Sequence, residues 1–318
     1  MGIWLYFLRR LVQVPLVIFF VSVIIFALMK VTPGDPISIM LGPYATPETT
    51  AALKAEFNLD KSLPEQYLLW IWNLLHGDLG ASIRSQEPVT EMVANRFPVS
   101  LTIALMATLL SLLIAIPAGV LAAYRRNSLW DYVLMGFSTI GLSVPTFTLA
   151  LVLILFFALK LQWVPISGIG LRTLSDGFWP FVLPYIIPVV ALAVTTIAEL
   201  ARIVRASMLE VLDQEYIRVA RAQGLGDSVV LRVHALKNVF IPIITVIAII
   251  FAFQVGNTIT IEYLFSIPGV GSALINAVIS RDFPVIQGLT LVVGIFFIGM
   301  NLLADILYAV VDPRIHYN

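Results

Sequence analysis

The sequence of 318 residues contains no cysteine, so it offers neither a disulfide framework nor a thiolate metal site. Only 12% of its residues are charged, against about 25% in soluble domains. The formal net charge is zero, which gives no bulk attraction toward nucleic acid. No glycine is followed by lysine, which excludes the phosphate-cradling loop G-x-x-x-x-G-K-[ST]. We therefore expect neither ATP hydrolysis by this chain nor a nucleic-acid partner.

Apolar residues dominate instead, at 59% of the chain and a mean hydropathy of +0.96. About 20 consecutive apolar residues are needed to cross the hydrocarbon core of a bilayer. Prolines inside several of the apolar runs favour a packed bundle, because neighbouring helices must satisfy the backbone groups that proline leaves free. We predict an all-α polytopic membrane protein with six transmembrane helices. The predicted spans are Leu11–Met29, Leu101–Tyr124, Tyr132–Leu159, Phe181–Val204, Val239–Ile261 and Val285–Val311.

The first span follows Arg9 and Arg10, as the core of a signal peptide would. It is longer than such a core and no A-x-A cleavage site follows it, so we predict an uncleaved helix. If the N-terminus is cytoplasmic and the long outer segment is left out of the count, most arginines and lysines lie on the inner side of the membrane. The positive-inside rule requires this distribution. Both termini are therefore predicted to be cytoplasmic.

Three regions follow from this topology. Residues 1–30 form the cytoplasmic N-terminus and the first transmembrane helix, 31–98 an extracytoplasmic segment, and 99–318 a five-helix core with a cytoplasmic loop at about 205–240. Within the extracytoplasmic segment, Pro47–Leu59 and Pro64–Leu75 are predicted helices. The segment either caps the mouth of the bundle or receives a substrate-binding protein, and both interpretations stay open.

The cytoplasmic loop contains a charged stretch, EYIRVARAQGLGDSVVLRVHALKNVFIP, between two very apolar spans. A helix is predicted over Glu215–Gln223, ended by Gly224 because glycine adopts the left-handed C-terminal position cheaply. Asp227 or Ser228 is predicted to cap a second helix. The small residues around Ala220 and Gly224 would let another chain approach closely. The alternative is a solvated loop whose basic residues contact lipid headgroups.

Polar residues interrupt the fifth span. Gln254, Thr258 and Glu262 recur at intervals of four, with Asn257 beside them. Polar groups are costly in lipid, so this stripe must face protein or water. It either lines a translocation pathway or forms hydrogen bonds between helices. No metal site is predicted, since the three histidines are scattered along the sequence.

Six motifs in order make the chain similar to a known family. They are PGDP (33–36), GDLGASI (77–83), WVPISG (163–168), RASMLEVL (205–212), RVARAQG with HALKN (218–238), and EYLFSIPGVGSALINAVISRDFPVIQG (262–288). Together they resemble permease subunits of ATP-binding-cassette (ABC) importers, within the dipeptide, oligopeptide, nickel and glutathione branch. The wider family's Glu-Ala-Ala is replaced here by Arg218, Val219 and Ala220, which leaves the role of the acidic residue unassigned.

The resemblance implies that the charged stretch is the coupling-helix region, which docks on a separate ATPase subunit. The residues expected to couple are Tyr216, Arg218, Ala220, Arg221, Ala222, Gly224, Leu225 and His234. It also implies that this chain binds no cofactor, with ATP and Mg on the partner ATPase subunits. The expected partners are a second homologous permease in a heterodimer, one or two ATP-binding subunits, an extracytoplasmic substrate-binding protein and the lipid membrane.

We expect the chain to translocate small peptides, such as dipeptides, oligopeptides or glutathione, by ATP-driven alternating access. Nickel chelates or oligosaccharides are alternative substrates within the same branch. A self-contained secondary transporter or channel is an alternative from another class, but no convincing repeat relates the two halves. An intramembrane enzyme would need paired catalytic groups at depth, for which Gln254 and Asn257 are poor candidates. We therefore predict a transport subunit without enzymatic activity of its own.

Overall fold

The computed structural model describes residues 3–31, 37, 41, 46–56, 58–167 and 174–311. Within these ranges the side chains of residues 3–11, 56, 174, 241, 242 and 308–311 are not described. The PGDP motif at 33–36 and the last residue of the WVPISG motif lie outside the described residues. The described part is helical, and its β structure is limited to an isolated bridge between Ala81 and Pro88.

Eleven helices of eight residues or more position the candidate site within the described ranges. They are α1 (Ile3–Val31), α2 (Pro47–Glu56), α3 (Leu63–Leu75), α4 (Val89–Tyr124), α5 (Leu129–Ser143), α6 (Thr146–Leu153), α7 (Ile186–Leu212), α8 (Glu215–Ala222), α9 (Leu236–Leu264), α10 (Val270–Ser280) and α11 (Phe283–Val311). Shorter helical turns lie at Ile154–Lys160, Leu174–Asp176, Phe178–Val182, Leu183–Tyr185, Asp227–Val229 and Val230–Ala235.

Five stretches of the described chain are long and apolar enough to cross a membrane, and a bent helix pair brings the number to six if it counts as one span. This agrees with the all-α, six-span prediction. The five are Val12–Val31, Val89–Tyr124, Phe178–Leu212, Ile243–Leu264 and Phe283–Leu307. α4 begins at Val89, well before the predicted Leu101. Its 36 residues are longer than the hydrocarbon core, so part of it must project beyond the bilayer.

The third predicted span, Tyr132–Leu159, falls on the bent helix pair. The pair Leu129–Ser143 and Thr146–Lys160 is bent by 100°. Val144 at the break has the extended conformation that a residue preceding proline favours (φ −91°, ψ 122°), and Pro145 follows it. Apolarity hid this break, because an apolar run predicts burial in lipid regardless of the direction of the chain.

The centre of the bundle is the contact between α4 and α7, where both helices present small side chains. Small residues let helices approach closely in a membrane, where packing replaces the hydrophobic effect as the main attraction. The hydroxyl of Ser111 joins the two backbones, since it donates to the carbonyls of Ala107 (2.7 Å) and Ala193 (3.2 Å). Buried alanines of the two helices are Ala104, Ala107, Ala115, Ala122 and Ala123 of α4 and Ala191, Ala193, Ala198 and Ala201 of α7.

At the end of the bundle where α1 ends, the motif GDLGASI contacts the long motif at 262–288. Ser82 Oγ donates to Asp282 Oδ2 (2.5 Å), and Ile83 N donates to Asp282 Oδ1 (3.1 Å). Asp282 is buried, and it lies directly after α10 and Arg281. GDLGASI is therefore clamped to the segment that precedes α11. This contact fixes where the first half of the chain meets the second.

Candidate functional site

The charged stretch folds as the sequence predicts up to its corner. α8 carries Glu215 in its first turn and Arg221 in its last, which suits the helix dipole at both ends. Gly224 has φ +84°. Its N–H donates to Arg221 O (3.0 Å), while Leu225 N donates to Ala220 O (3.3 Å). These two bonds form a Schellman motif, in which a left-handed glycine ends the helix.

α8 presents two different faces. Ile217 and Ala220 are buried (0% and 5% exposed) in a cluster with residues of α4, α7 and the start of α9. The opposite face is open to the surroundings and mixes apolar and cationic groups. We call it the coupling surface, and its members are Tyr216, Arg218, Val219, Arg221, Ala222, Gly224 and Leu225. Six of these seven residues were among the sequence-predicted coupling residues, and Val219 was missed.

Ala220 lies on the inner face, away from the coupling surface. Its small side chain packs in the chain's own cluster, so a contact between Ala220 and a partner would require α8 to leave this position. The sequence drew attention to Ala220, Ala222 and Gly224 as one small-residue run. The helical repeat places Ala220 on the buried face of α8, whereas Ala222 and Gly224 are exposed.

Asp227 ties the corner to the bundle and does not cap a second helix. The residue at the N-cap position is Gly226, with no side-chain cap bond. Tyr124 Oη donates to Asp227 Oδ2 (3.0 Å), and Arg221 Nε lies 3.8 Å from Asp227 Oδ1. The prediction of a cap at Asp227 or Ser228 is therefore wrong. The Asp227 carboxylate instead accepts a hydrogen bond from Tyr124 at the end of α4.

His234 lies in the π-helical turn Val230–Ala235 that leads into α9. Its carbonyl accepts a bond from Asn238 Nδ2 (2.8 Å), and the same amide donates to Tyr216 Oη (3.0 Å). The imidazole is partly exposed. His234 is thus linked to the coupling surface through Asn238.

The polar stripe of the fifth span is enclosed by the chain's own helices. Gln254 is 2% exposed, and Thr258 and Glu262 are fully buried. Gln254 Oε1 accepts from Thr196 Oγ1 (3.2 Å), while its Nε2 donates to Leu192 O (3.3 Å). These bonds join α9 to α7. They favour the interhelical interpretation for Gln254, and the pathway role of the stripe stays a prediction.

Glu262 fixes the start of α10. Its Oε1 accepts from Thr258 Oγ1 (2.7 Å), and its Oε2 accepts from Gly271 N (2.7 Å) and Ser272 N (3.3 Å). A carboxylate is favourable here, because the first N–H groups of a helix lack intrahelical partners. A Cβ at Gly271 would lie 2.3 Å from Ile259 Cα, so only glycine fits at this approach.

Asn257 faces away from the stripe. It is exposed and lines a groove of about 740 Å³ that is bounded by α1, α9 and α11. Other polar groups along this mainly apolar groove come from Gln13, Thr290, Asn301 and Asp305. The four sequence-predicted pathway residues therefore divide into three that are buried and one that is accessible.

An ion pair that sequence reasoning did not find joins the start of α5 to the last turns of α7. Arg205 Nε and Nη2 donate to Asp131 Oδ1 (2.6 Å) and Oδ2 (2.7 Å) in a bidentate pair. Asp131 is buried, and its Oδ2 also accepts from Asn127 N (3.0 Å). The available signal was a lone carboxylate at the start of an apolar run, since such a charge needs a partner. Arg205 belongs to the RASMLEVL motif.

The membrane helices, the exposed α8 and the clamped motifs define a membrane component of a transport system. A family model described as "Binding-protein-dependent transport system inner membrane component" matches residues 115–317. A model for the N-terminal part of such membrane components matches residues 3–104. The chain belongs to this family, and it is a multi-pass inner-membrane transport subunit. The family resemblance read from the motifs is confirmed.

Curated relatives are similar over nearly their whole length. A putative peptide transport system permease protein of Brucella suis is 40% identical over 98% of both chains. The dipeptide transport system permease protein DppB of Escherichia coli K12 is 37% identical, again over 98% of each. The oligopeptide transport system permease protein AppB of Bacillus subtilis is 36% identical over 98% of this chain and 99% of its own.

Among solved structures, the MetNI methionine ABC transporter in an inward-facing conformation is similar in fold. The TM-score is 0.57 at 18% identity, over 67% of this chain and 93% of the other. At that identity the likeness concerns the fold alone. Family membership implies a partner permease, an ATPase and a substrate-binding protein. It also sets aside the secondary-transporter, channel and intramembrane-enzyme alternatives.

Proposed function

We propose that this chain is one permease of an ABC importer that carries small peptides across the inner membrane by ATP-driven alternating access. Relatives named as peptide, dipeptide and oligopeptide permeases share 36–40% identity with it over nearly the full length. The partners in this proposal are a homologous second permease, one or two ATPase subunits that bind ATP and Mg, and an extracytoplasmic substrate-binding protein.

The observation that carries the proposal is the two-sided packing of α8. Tyr216 and Val219 are 43% and 55% exposed, beside the exposed Arg218 and Arg221. Apolar groups grouped on a surface and rimmed by charge are typical of a protein–protein contact. The amphipathic helix has a buried side that holds it to the bundle, and its open side is free for an ATPase subunit.

The same packing suggests how a movement would be transmitted. Ile217 contacts the cluster that joins α4, α7 and α9, so a force on α8 acts on three membrane helices at once. In the proposed cycle, ATP binding closes the ATPase subunits, α8 is displaced and the pathway turns outward; hydrolysis resets it. The chain contributes changes of packing and no covalent chemistry. The sister permease supplies the other half of the pathway.

The test is peptide uptake by the assembled transporter in vesicles, measured together with ATP hydrolysis. Ala222→Trp adds bulk to the coupling surface at a helical, exposed position, so the variant should insert, keep its sister permease and lose uptake. Leu129→Trp is the control for an added tryptophan, because Leu129 is 77% exposed and belongs to α5 instead of α8. Normal uptake and hydrolysis by Ala222→Trp would contradict docking on this surface.

Substrate choice is tested separately on the partner binding protein. A panel of dipeptides, longer peptides, glutathione, nickel chelates and oligosaccharides should give saturable binding for the peptides. Binding of a nickel chelate or an oligosaccharide alone would replace the proposed substrate and leave the coupling mechanism intact.

Orientation is part of the proposal, with both termini in the cytoplasm. Ser85 and Ser228 are both exposed in the described structure, so accessibility of a cysteine depends on the side of the membrane. Ser85→Cys should react with an impermeant thiol reagent added outside, and Ser228→Cys should react only after permeabilisation. The opposite pattern would overturn the orientation and the docking of α8 together.

A further inference from the structure

A second cavity, of about 340 Å³, lies at the end of α1, where α3 and the start of α11 meet. It is more polar than the groove beside Asn257, and its described lining includes one cation and no carboxylate. The lining groups that the argument uses are Phe26, Lys30, Gln66, Trp70, Asn73 and Gln287. A cavity with this balance of charge suits an anionic ligand.

Lys30 is partly buried and is held in place by neutral groups. Its Nζ donates to Gln66 Oε1 and lies 5.3 Å from the centre of the Phe26 ring. Gln66 is oriented for this contact, because its Nε2 donates to Lys61 O (2.8 Å) and Leu59 O (3.3 Å). Among the described residues, no carboxylate pairs with Lys30. An ammonium group has three donors, so an anion in the cavity could accept the others.

Contacts deeper along α1 place the cavity at the edge of the bilayer. Tyr67 Oη lies 2.9 Å from Ser22 Oγ, and the Tyr67 ring packs edge-on against Phe26. Ser22 precedes Lys30 by eight residues, which is about 12 Å along a helix. α3 therefore crosses α1 inside the candidate span Val12–Val31, and Lys30 lies at the outer end of that span.

The outward side of α3 is apolar. Leu68, Trp72 and Leu75 are 65%, 62% and 78% exposed. Glu65 is the one charged residue of this helix. Such a helix is suited to lie in the interface of a bilayer, with its aromatic residues near the headgroups. The surface around the cavity is thus one that acyl chains would cover.

We propose that this cavity binds the headgroup of an anionic glycerophospholipid, with its phosphate at Lys30 Nζ and its acyl chains along the exposed faces of α1 and α3. Charge complementarity and depth both favour a lipid over a soluble partner. Phe26 and Trp70 stack below the charge, with ring centroids 6.1 Å apart, and close the inner side of the site. The proposal does not depend on the substrate that the transporter carries.

The experiment compares lipids retained by the assembled transporter, by native mass spectrometry after exchange into equal mixtures of phosphatidylglycerol and phosphatidylcholine. Lys30→Gln should lower the retained phosphatidylglycerol-to-phosphatidylcholine ratio about fivefold, the effect of one lysine near a charged bilayer. Lys30→Arg should preserve the ratio. Lys61→Gln is the matched control, because Lys61 is exposed in the same segment and does not line the cavity. An unchanged ratio in Lys30→Gln, or an equal loss in Lys61→Gln, would overturn the proposal.

A measurement on the unaltered transporter removes any dependence on the folding of the variants. Acetylation of Lys30 by an amine-reactive ester should be slower in phosphatidylglycerol vesicles than in phosphatidylcholine vesicles, by more than that of Lys61. Equal protection of both lysines would contradict the site. If peptide substrate protects Lys30 in vesicles of phosphatidylcholine alone, the cavity serves a substrate carboxylate and the lipid assignment is wrong.

Discussion

The segment before α9 and the last turn of α9 differ in how their polar residues are surrounded. In the segment before α9, Arg218, Arg221 and most of their neighbours on the coupling surface are exposed. Near the last turn of α9, Glu262 is fully buried and accepts three hydrogen bonds from its own chain. Both regions stand out in the sequence as polar groups beside apolar runs. One leaves its groups exposed, while the other uses them to build the bundle.

This difference follows from what surrounds each region. A polar group inside a membrane protein must find a hydrogen-bond partner within the bundle. A polar group at the water-exposed surface can instead form hydrogen bonds with water or with another subunit. Substitutions in the two regions should therefore have different effects. Those near Glu262 should reduce the stability of the chain, and those on the coupling surface should leave a folded chain that no longer works.

The largest effect is expected for Glu262→Ala. The change leaves Gly271 N and Ser272 N without their acceptor, whereas the Thr258 hydroxyl still donates to Val255 O (2.9 Å). Unsatisfied buried groups cost about 1–3 kcal/mol each, so we expect a loss of about 2–6 kcal/mol of stability. The measurement is the apparent melting temperature and the yield of monodisperse protein after solubilisation.

Thr260→Ala is the control for Glu262→Ala, because Thr260 is exposed on the same helix. It should leave the melting temperature near that of the parent. If Glu262→Ala melts like Thr260→Ala, the carboxylate is not what holds α10. A loss of transport without a loss of stability would instead support the pathway role.

Ala220→Trp should be the next most damaging change. Ala220 is 5% exposed in the cluster that Ile217 forms with α4, α7 and the start of α9, so a tryptophan overpacks a filled site. Overpacking costs about 1–3 kcal/mol. We expect a lower apparent melting temperature, whereas Ala222→Trp, two residues on, should melt normally.

This pair of variants separates packing from docking on one helix. Equal melting temperatures for Ala220→Trp and Ala222→Trp would mean that α8 does not hold its buried face against the bundle.

A smaller and purely local effect is expected for Thr258→Cys and Asn257→Cys. Thr258 is fully buried and its neighbour Asn257 is exposed in the groove of α1, α9 and α11. A small thiol reagent should modify Asn257→Cys and spare Thr258→Cys in the resting transporter. The rates are to be measured with and without ATP trapped on the partner subunits.

The two cysteine variants also decide the role of the polar stripe. Modification of Thr258→Cys that appears only with trapped ATP would support a pathway role for the stripe. A Thr258→Cys variant that is inert in every state would leave hydrogen bonding between helices as its function.

Sequence alone predicted the membrane class, five of the spans and the position of the exposed helix α8, because apolar runs and helix-ending glycines act locally. The 100° break at Val144 was missed, since it changes the direction of an apolar chain without changing its hydropathy. The inward face of Ala220 was missed because alanine has the same character on either side of a helix. The Asp131–Arg205 pair joins residues 74 positions apart, which no local pattern reports.

The smallest effect is expected for Arg218→Ala. Arg218 is exposed on the coupling surface, and a charge at a wet interface contributes little, because water and salt screen it. Uptake and ATP hydrolysis should fall by less than about fivefold. The deficit should also shrink as the ionic strength of the assay rises, since screening removes the interaction in the parent as well. Ala222→Trp in the same assay serves as the reference for full loss. Abolished uptake in Arg218→Ala, or a deficit that does not respond to salt, would show that Arg218 is enclosed when the ATPase binds, and that the coupling surface is a dry contact like the one around Glu262.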